Sequence, residues 1–414
     1  MVVMQAALAL EGGTPVHSGG WPRWPVWDER EERALLEVLR SGAWGMTQGN
    51  AVAEFERAWA TFQQARHCVA VVNGTSALEV ALRALELEPG DEVIVPPYTF
   101  VATAAAVLLA GALPVFADID PTTYELDPLA AEAAITPHTR AIVPVHIAGC
   151  PPDMDGILAV ARRHGLRVVE DAAQAHGAEW RGRRVGALGD LGTFSFQASK
   201  NLNSGEGGAI VTDDETLYRR VWSLHNVGRA LTEHWRTSGW YQHDLLGFNY
   251  RLTAFQAALL MAQMSRLEGQ MARREQAAQL LDRELATIPG IRPQARDPRV
   301  TAHAHHLYVL RYEAAEFGGR PREPFLKALR AEGIPCSPGY TVPLHHSPAI
   351  VDAIQALCSR LGRQDDRLQQ PLPVAERASS AEGVWLTQSM LLAEQQDLQH
   401  IPEAVAKIQR AWGQ

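Results

Sequence analysis

The chain has 414 residues, of which 46% are apolar and 21% charged, with a formal net charge of −9. That length exceeds one ordinary domain, predicts two, and allows a sizeable core. The acidic balance argues against a nucleic-acid polyanion as the main partner.

Residues 1–10 are mildly apolar but lack the basic start of a signal peptide. Residues 21–27, WPRWPVW, form an aromatic, proline-broken arm. It could reach across to a partner subunit or pack on its own domain. Asp28 opens a helix whose apolar positions Leu35, Leu36 and Leu39 precede Gly42. Val52, Phe55 and Trp59 mark a second helix. A short buried strand over 68–72 leads through Asn73-Gly74-Thr75-Ser76 into a helix over 77–85. Strand, small polar turn and helix start make an anion site, with the hydroxyls of Thr75 and Ser76 beside free backbone N–H groups. The same residues also suit an ordinary helix cap. The next strand, 92–96, places Tyr98 and Phe100 beyond its carboxyl end, where ligands bind in open parallel sheets. The small-residue run 102–112 is too short to span a bilayer. Strands over 113–116, 141–146 and 166–170 alternate with helical stretches, one of them 157–164. The alternation predicts a mostly parallel sheet with helices on both faces. Arg181, Arg183 and Arg184 read as a solvated turn.

The densest chemistry lies in 168–208. Glu170 and Asp171 close one strand, 193–196 forms the next, and Lys200 follows it. Lys200 is the sole lysine before residue 211, and Gly205, Gly207 and Gly208 make a turn behind it. An acid and a lysine so placed suit a cofactor with a basic ring nitrogen and an aldehyde. Pyridoxal 5′-phosphate (PLP) has both: a lysine forms its Schiff base and an acid holds its ring proton. A dinucleotide oxidoreductase fits poorly, since Gly186, Gly189 and Gly192 do not form G-x-G-x-x-G.

Beyond Asp213 the pattern turns helical, and 225–241 reads as a loop. A long helix over 253–284, ended by Pro289-Gly290, is the expected hinge. The expected domains are 1–265, an arm with a large PLP-binding domain, and 266–414, a small C-terminal domain. The latter should hold a strand over 306–310, a helix over 322–332, a strand or turn over 334–340 and an amphipathic closing helix over 396–412. Adjacent His345 and His346 are poor metal spacing, so no metal is expected. Cys68, Cys150, Cys336 and Cys358 form no C-x-x-C pair and read as reduced thiols in a cytoplasmic protein.

Several segments together resemble the DegT/DnrJ/EryC1/StrS group of PLP-dependent sugar and cyclitol aminotransferases, of fold type I (aspartate-aminotransferase-like). They are NGTSAL at 73–78, VPPYTFVATAAAVLLAGALPVFADID at 95–120, VVEDAAQAHGA at 168–178, FSFQASKNLNSGEGG at 194–208, GFNYRLTAFQAAL at 247–259 and EGVWLTQSMLL at 382–392. They occur in the family's order and span most of the chain. The resemblance implies an α/β fold, with a large mostly parallel sheet flanked by helices and a smaller C-terminal α/β domain. It implies that Lys200 carries the cofactor and moves the proton, Asp171 pairs with the pyridine nitrogen and Gln174 bonds the ring hydroxyl. Thr75, Ser76 and Ser195 would hold the phosphate. Phe100, or else Tyr98, would stack on the ring. Asn249, with Arg251 nearby, would reach the phosphate of a neighbouring subunit in a homodimer. Arg229, Tyr340 and His346 are candidates for substrate contact. The implied reaction is ping-pong transfer from L-glutamate or L-glutamine to a keto sugar or keto cyclitol. The wording of 339–348, GYTVPLHHSP, leans toward scyllo-inosose aminotransferases and aminohydroxybenzoate synthases. Nucleotide-linked keto sugars are the other acceptor class. The alternatives are a PLP-dependent sugar dehydratase, in which histidine replaces the lysine, and a non-catalytic PLP-fold protein. Neither nucleic acid nor membrane is expected as a partner.

Overall fold

The computed structural model describes residues 7–232, 242–363 and 366–413. The arm leads into α1 (Glu29–Ser41) and α2 (Ala51–Phe62). Helix α1 begins in a capping box between Asp28 and Glu31 and stops at Gly42, in left-handed conformation. Then β1 (His67–Val71), α3 (Gly74–Ala84), β2 (Glu92–Val95), α4 (Ala102–Leu109), β3 (Leu113–Phe116), α5 (Pro128–Ala133), β4 (Thr139–Ile142), α6 (Met154–His164) and β5 (Arg167–Asp171) alternate. A small hairpin, β6 (Glu179–Trp180) and β7 (Arg183–Arg184), precedes β8 (Leu191–Ser195), β9 (Gly208–Thr212) and α7 (Glu215–His225).

These strands build a seven-stranded sheet of order β1-β9-β8-β5-β4-β2-β3. Strands β8, β5, β4, β2 and β3 run parallel, while β9 is antiparallel to both of its neighbours. The strands are short and almost wholly buried, as helices on both faces require. Strand β9 was not anticipated: it starts at Gly208 inside what reads as a glycine turn. Helix α3 starts at Gly74 rather than 77, because the Asn73 side chain accepts the Ser76 N–H at 2.8 Å and caps it. Strand β4 stops at Ile142, short of the predicted 146. Pro144 has no N–H for the ladder, and Val145 rejoins the sheet by a single bridge to Asp171.

Helix α8 (Ala254–Leu285) starts in a capping box of Thr253 and Gln256 and runs for 32 residues. It is followed by β10 (Ile291–Pro293), β11 (Val300–Ala302), β12 (Leu307–Tyr312), α9 (Arg322–Ala331), α10 (Pro348–Arg360), α11 (Pro373–Arg377), β13 (Gly383–Thr387) and α12 (Gln395–Trp412). Strands β10, β12 and β13 form an antiparallel sheet, and β11 joins the β6–β7 hairpin.

Two cores meet along α8. Its Ala257, Leu260 and Leu267 pack with Phe55, Trp59 and Phe194. Its Ala277, Ala278, Leu281 and Leu285 pack with Phe317, Phe325 and Ile401. The helix thus changes cores between Leu267 and Ala277, just beyond the expected boundary at 265/266. Residues 8–21 pack on the C-terminal core, whereas further along the arm the Val26 carbonyl accepts from Gln263 and Arg266 of α8. Leu8 belongs to that core and Trp21 packs against it. The Trp21 indole donates to the Gly333 carbonyl at 2.9 Å. The buried Glu332 carboxylate accepts from the N–H groups of Ala9 and Val16 and pairs with Lys407. Further along, the Trp24 indole donates to the Ala198 carbonyl at 3.0 Å.

Leu281 is fully buried where α8 enters the C-terminal core. Leu281→Ala should therefore lower the unfolding free energy by about 2–5 kcal/mol, read as a reduced urea midpoint at unchanged slope.

Candidate active site

A cavity of about 590 Å³ opens at the carboxyl ends of the parallel strands. One wall comes from the large sheet: Asn73, Gly74 and Thr75 at the start of α3, Asp171 at the end of β5, Ser195 at the end of β8, and Lys200 beyond it. The opposite wall comes from the C-terminal segment, with His306, Leu307, Tyr340 and Trp385. Of the residues expected at the site, Thr75, Phe100, Asp171, Gln174, Ser195, Lys200 and Tyr340 line this one space.

Asp171 is buried. One of its carboxylate oxygens accepts from the Thr103 hydroxyl at 2.8 Å, and the other from the Ala173 N–H at 3.3 Å. Burial pushes its pKa up, while these bonds and the nearby Lys200 charge oppose the rise. Burial likewise lowers the Lys200 amine to about 8, against an opposing pull from Asp171. Gln174 is oriented without ambiguity. Its side-chain oxygen accepts the Ala148 N–H at 2.8 Å, so its amide nitrogen faces Tyr340, whose hydroxyl lies 3.2 Å away. The amide keeps a second hydrogen.

The start of α3 offers N–H groups that no helical carbonyl can take. Gly74 is required there, since a Cβ would fall 2.6 Å from the Ser195 Cβ. That close approach brings the Ser195 hydroxyl beside the helix start, and Thr75 lines the same space. The donor set suits a phosphate at one end of the cavity, a basic ring nitrogen at Asp171 and an aldehyde at Lys200. The residues present therefore fit PLP.

Not every expected residue lines the cavity. Ser76 is buried in the first turn of α3 and is not part of its wall. Tyr98 is 1% exposed and packs edge-on against Tyr124, Tyr340 and Trp385, so it supports the wall from behind and cannot stack on a ligand. Phe100, 56% exposed at the cavity rim, can. Asn249 is exposed and bridged to Asn226, whose side chain accepts from Arg251 at 3.0 Å. Arg229 bridges to His243 on the same connection between α7 and α8. These three lie outside the cavity of their own chain, and part of the loop read over 225–241 (residues 233–241) lies outside the described residues. His346 is also outside it, beside His345 and Glu376. That trio, and a second of His17, Asp397 and His400, bring ligand-type atoms within 4.8 Å of one another. The third group was invisible from the spacing of His345 and His346 alone.

The sequence pattern missed Thr103, His306 and Trp385, and gave Glu170 no role of its own. Glu170 is fully buried, pairs with His146 at 3.0 Å, and accepts the N–H groups of Gly186, Leu188 and Gly189, each at 2.7 Å. The glycines spaced three apart serve this carboxylate: a Cβ on Gly192 would fall 2.0 Å from the Gly186 carbonyl oxygen.

The profile of the DegT/DnrJ/EryC1/StrS aminotransferase family matches residues 25–402. The chain belongs to this family. It is 41% identical to the L-glutamine:2-deoxy-scyllo-inosose aminotransferase of Streptoalloteichus tenebrarius, over 99% of each chain. It is 37% identical to the 3-amino-5-hydroxybenzoate synthase of Amycolatopsis mediterranei, covering 93% of this chain and 96% of that one. A crystal structure of 3-amino-5-hydroxybenzoic acid synthase superimposes with a TM-score of 0.85 at 36% identity, covering 95% of this chain and 99% of that one. The protein is accordingly a PLP-dependent aminotransferase with the expected α/β fold.

A buried amine held near 8 destabilises the cofactor-free fold below its ordinary value of 10.5. The folded chain releases the proton from about pH 8 upward, while the unfolded chain keeps it until about 10.5. The penalty is thus complete below pH 8 and fades as pH rises to 10.5. Lys200→Met should stabilise the cofactor-free protein at pH 7 by on the order of 3 kcal/mol, with that gain shrinking toward pH 10.5. Urea unfolding of both proteins at several pH values measures the difference.

Proposed function

We propose that this aminotransferase carries the amino group of L-glutamine to the ketone of a scyllo-inosose-type cyclitol, acting as a cytoplasmic homodimer. One observation carries the reading: Lys200, Asp171 and Gln174 converge on one cavity in a chain whose full-length relatives are named for that reaction. PLP supplies an aldehyde that captures amines and a ring that accepts an electron pair.

The chain's own residues do the rest. Thr75, Ser195 and the first N–H groups of α3 bind the phosphate. Asp171, held by Thr103 and Ala173, keeps a proton on the ring nitrogen. The free amide hydrogen of Gln174 is available to the ring oxygen, because Ala148 occupies the amide oxygen and so fixes which atom faces inward. Phe100 covers one ring face. The Lys200 amine, near pH 8, takes and returns the proton at the reacting carbon with little driving force lost in either direction. Tyr340 meets the substrate from the C-terminal wall. Asn249, exposed on its own chain, reaches the phosphate of the neighbouring protomer, with Arg251 beside it. Cys68, Cys150, Cys336 and Cys358 form no disulfide among the described residues, which suits a reducing compartment. No helix among the described residues is long and apolar enough to cross a membrane.

The test is direct. Full-length protein with PLP should show a visible absorption band that L-glutamine bleaches. A keto cyclitol should then restore it and a nucleotide-linked keto sugar should not. Lys200→Ala should lose both the band and all transfer. Bleaching by neither L-glutamine nor L-glutamate would remove the assigned donors. Restoration by the nucleotide sugar alone would replace the cyclitol.

Asn249→Ala should weaken PLP binding by roughly tenfold or more, the value of one hydrogen bond to a charged group. Sedimentation should report a dimer. A monomer with full activity would contradict the shared site.

A further inference from the structure

His306 lines the same cavity as Lys200 and feels its charge, yet neither the cofactor roles nor the substrate roles above use it. Its surroundings fix its chemical state. The Asn201 side-chain nitrogen donates to the Ala304 carbonyl at 2.6 Å, and a carbonyl can only accept. The Asn201 oxygen must therefore face the other way, toward His306 Nδ1 at 3.3 Å. Nδ1 carries the ring proton, and Nε2 is left with a lone pair. Burial and the nearby Lys200 and Arg274 charges hold the imidazole well below its ordinary pKa, so it stays neutral.

The backbone fixes the ring's position as firmly. The His306 N–H donates to the Ala148 carbonyl at 2.8 Å, and the Ala304 N–H donates to Gly149 at 3.0 Å. Ala148 is the residue whose own N–H holds Gln174. A neutral acceptor of one tautomer is thus built into the wall of the cavity that Lys200 also lines.

We propose that His306 is a positioning residue for Lys200: its Nε2 accepts a hydrogen bond from the free amine and turns the amine's lone pair toward the substrate. This rests on the aminotransferase reading and on Lys200 as its base. A lysine side chain loses much rotamer freedom when it is aimed, and a fixed acceptor restricts it in advance.

Two substitutions separate the nitrogens. His306→Asn places a donor where Nδ1 was and keeps the bond to Asn201, but loses the acceptor. His306→Gln places an amide oxygen where Nε2 was and loses the bond to Asn201. The deciding readout is the pH dependence of Lys200 labelling by an amine-reactive acylating reagent in cofactor-free, full-length protein, mapped by mass spectrometry. An acceptor stabilises the ammonium form, so its loss should lower the Lys200 pKa by about half a unit or more in His306→Asn and leave His306→Gln near the parent. In the loaded enzyme, His306→Asn should lose about tenfold in kcat with the L-glutamine KM unchanged, and His306→Gln should recover most of it. An unshifted Lys200 in His306→Asn, or a larger shift in His306→Gln, overturns the proposal whatever the rates. The labelling needs no acceptor substrate. Absence of transfer to a cyclitol in the parent enzyme would therefore sink the functional reading and leave this comparison standing.

Discussion

The end of β5 carries two neighbouring carboxylates, and the pleat of a strand sends them to opposite faces. Glu170 turns away from the cavity into full burial. A carboxylate can sit there only if its oxygens are satisfied, and three backbone N–H groups and His146 satisfy them. Those N–H groups belong to the loop that feeds β8, the strand from which the chain passes to Lys200. Asp171 turns toward the cavity and is held by Thr103. One residue thus orders the path to the lysine while its neighbour faces the lysine's own space. The cofactor chemistry depends on that division, since neither carboxylate could serve both sides.

The charge economy of the cavity follows from the same burial. Lys200 and Asp171 are each pushed toward neutrality by desolvation and drawn back toward charge by one another. His176 is held neutral, at about 3, by burial and by Lys200, and its ring proton serves the Ser195 carbonyl. The site therefore carries groups that the fold would not choose for stability, as expected where chemistry sets the residue.

Much of this was legible beforehand, for identifiable reasons. Lys200 stood out because no other lysine precedes it by sequence, and Asp171 because an acid closing a buried strand needs a purpose. The strand–helix alternation carried the sheet, and Asp28 and Gly42 for α1 and the helix-rich run 253–284 for α8 placed their ends within a residue or two. What escaped was set by distant contacts. Strand β9 hid behind glycines, because its pairing with β1 and β8 leaves little local trace. Tyr98 sits at the right point after β2 for stacking, but three other aromatic rings from elsewhere in the chain enclose it. His306 lay in a run of histidines, and its tautomer follows only from Asn201 and Ala304. Arg229 lies away from the cavity of its own chain, as do Asn249 and Arg251, which the resemblance assigns to a neighbouring subunit.

The cavity has two walls of different origin. The wall from β5, β8 and the start of α3 carries most of the residues assigned to the cofactor, and it is locked by close contacts such as that of Gly74 with Ser195. The wall from the C-terminal segment contributes His306, Leu307, Tyr340 and Trp385, side chains on connections and short strands. Substitution at Leu307 or Trp385 can remodel the space left for an acceptor without disturbing the first wall. A lineage of such enzymes is free to exchange ring ketones by drift in one half of the chain, while the half that holds the cofactor stays under unchanged constraint.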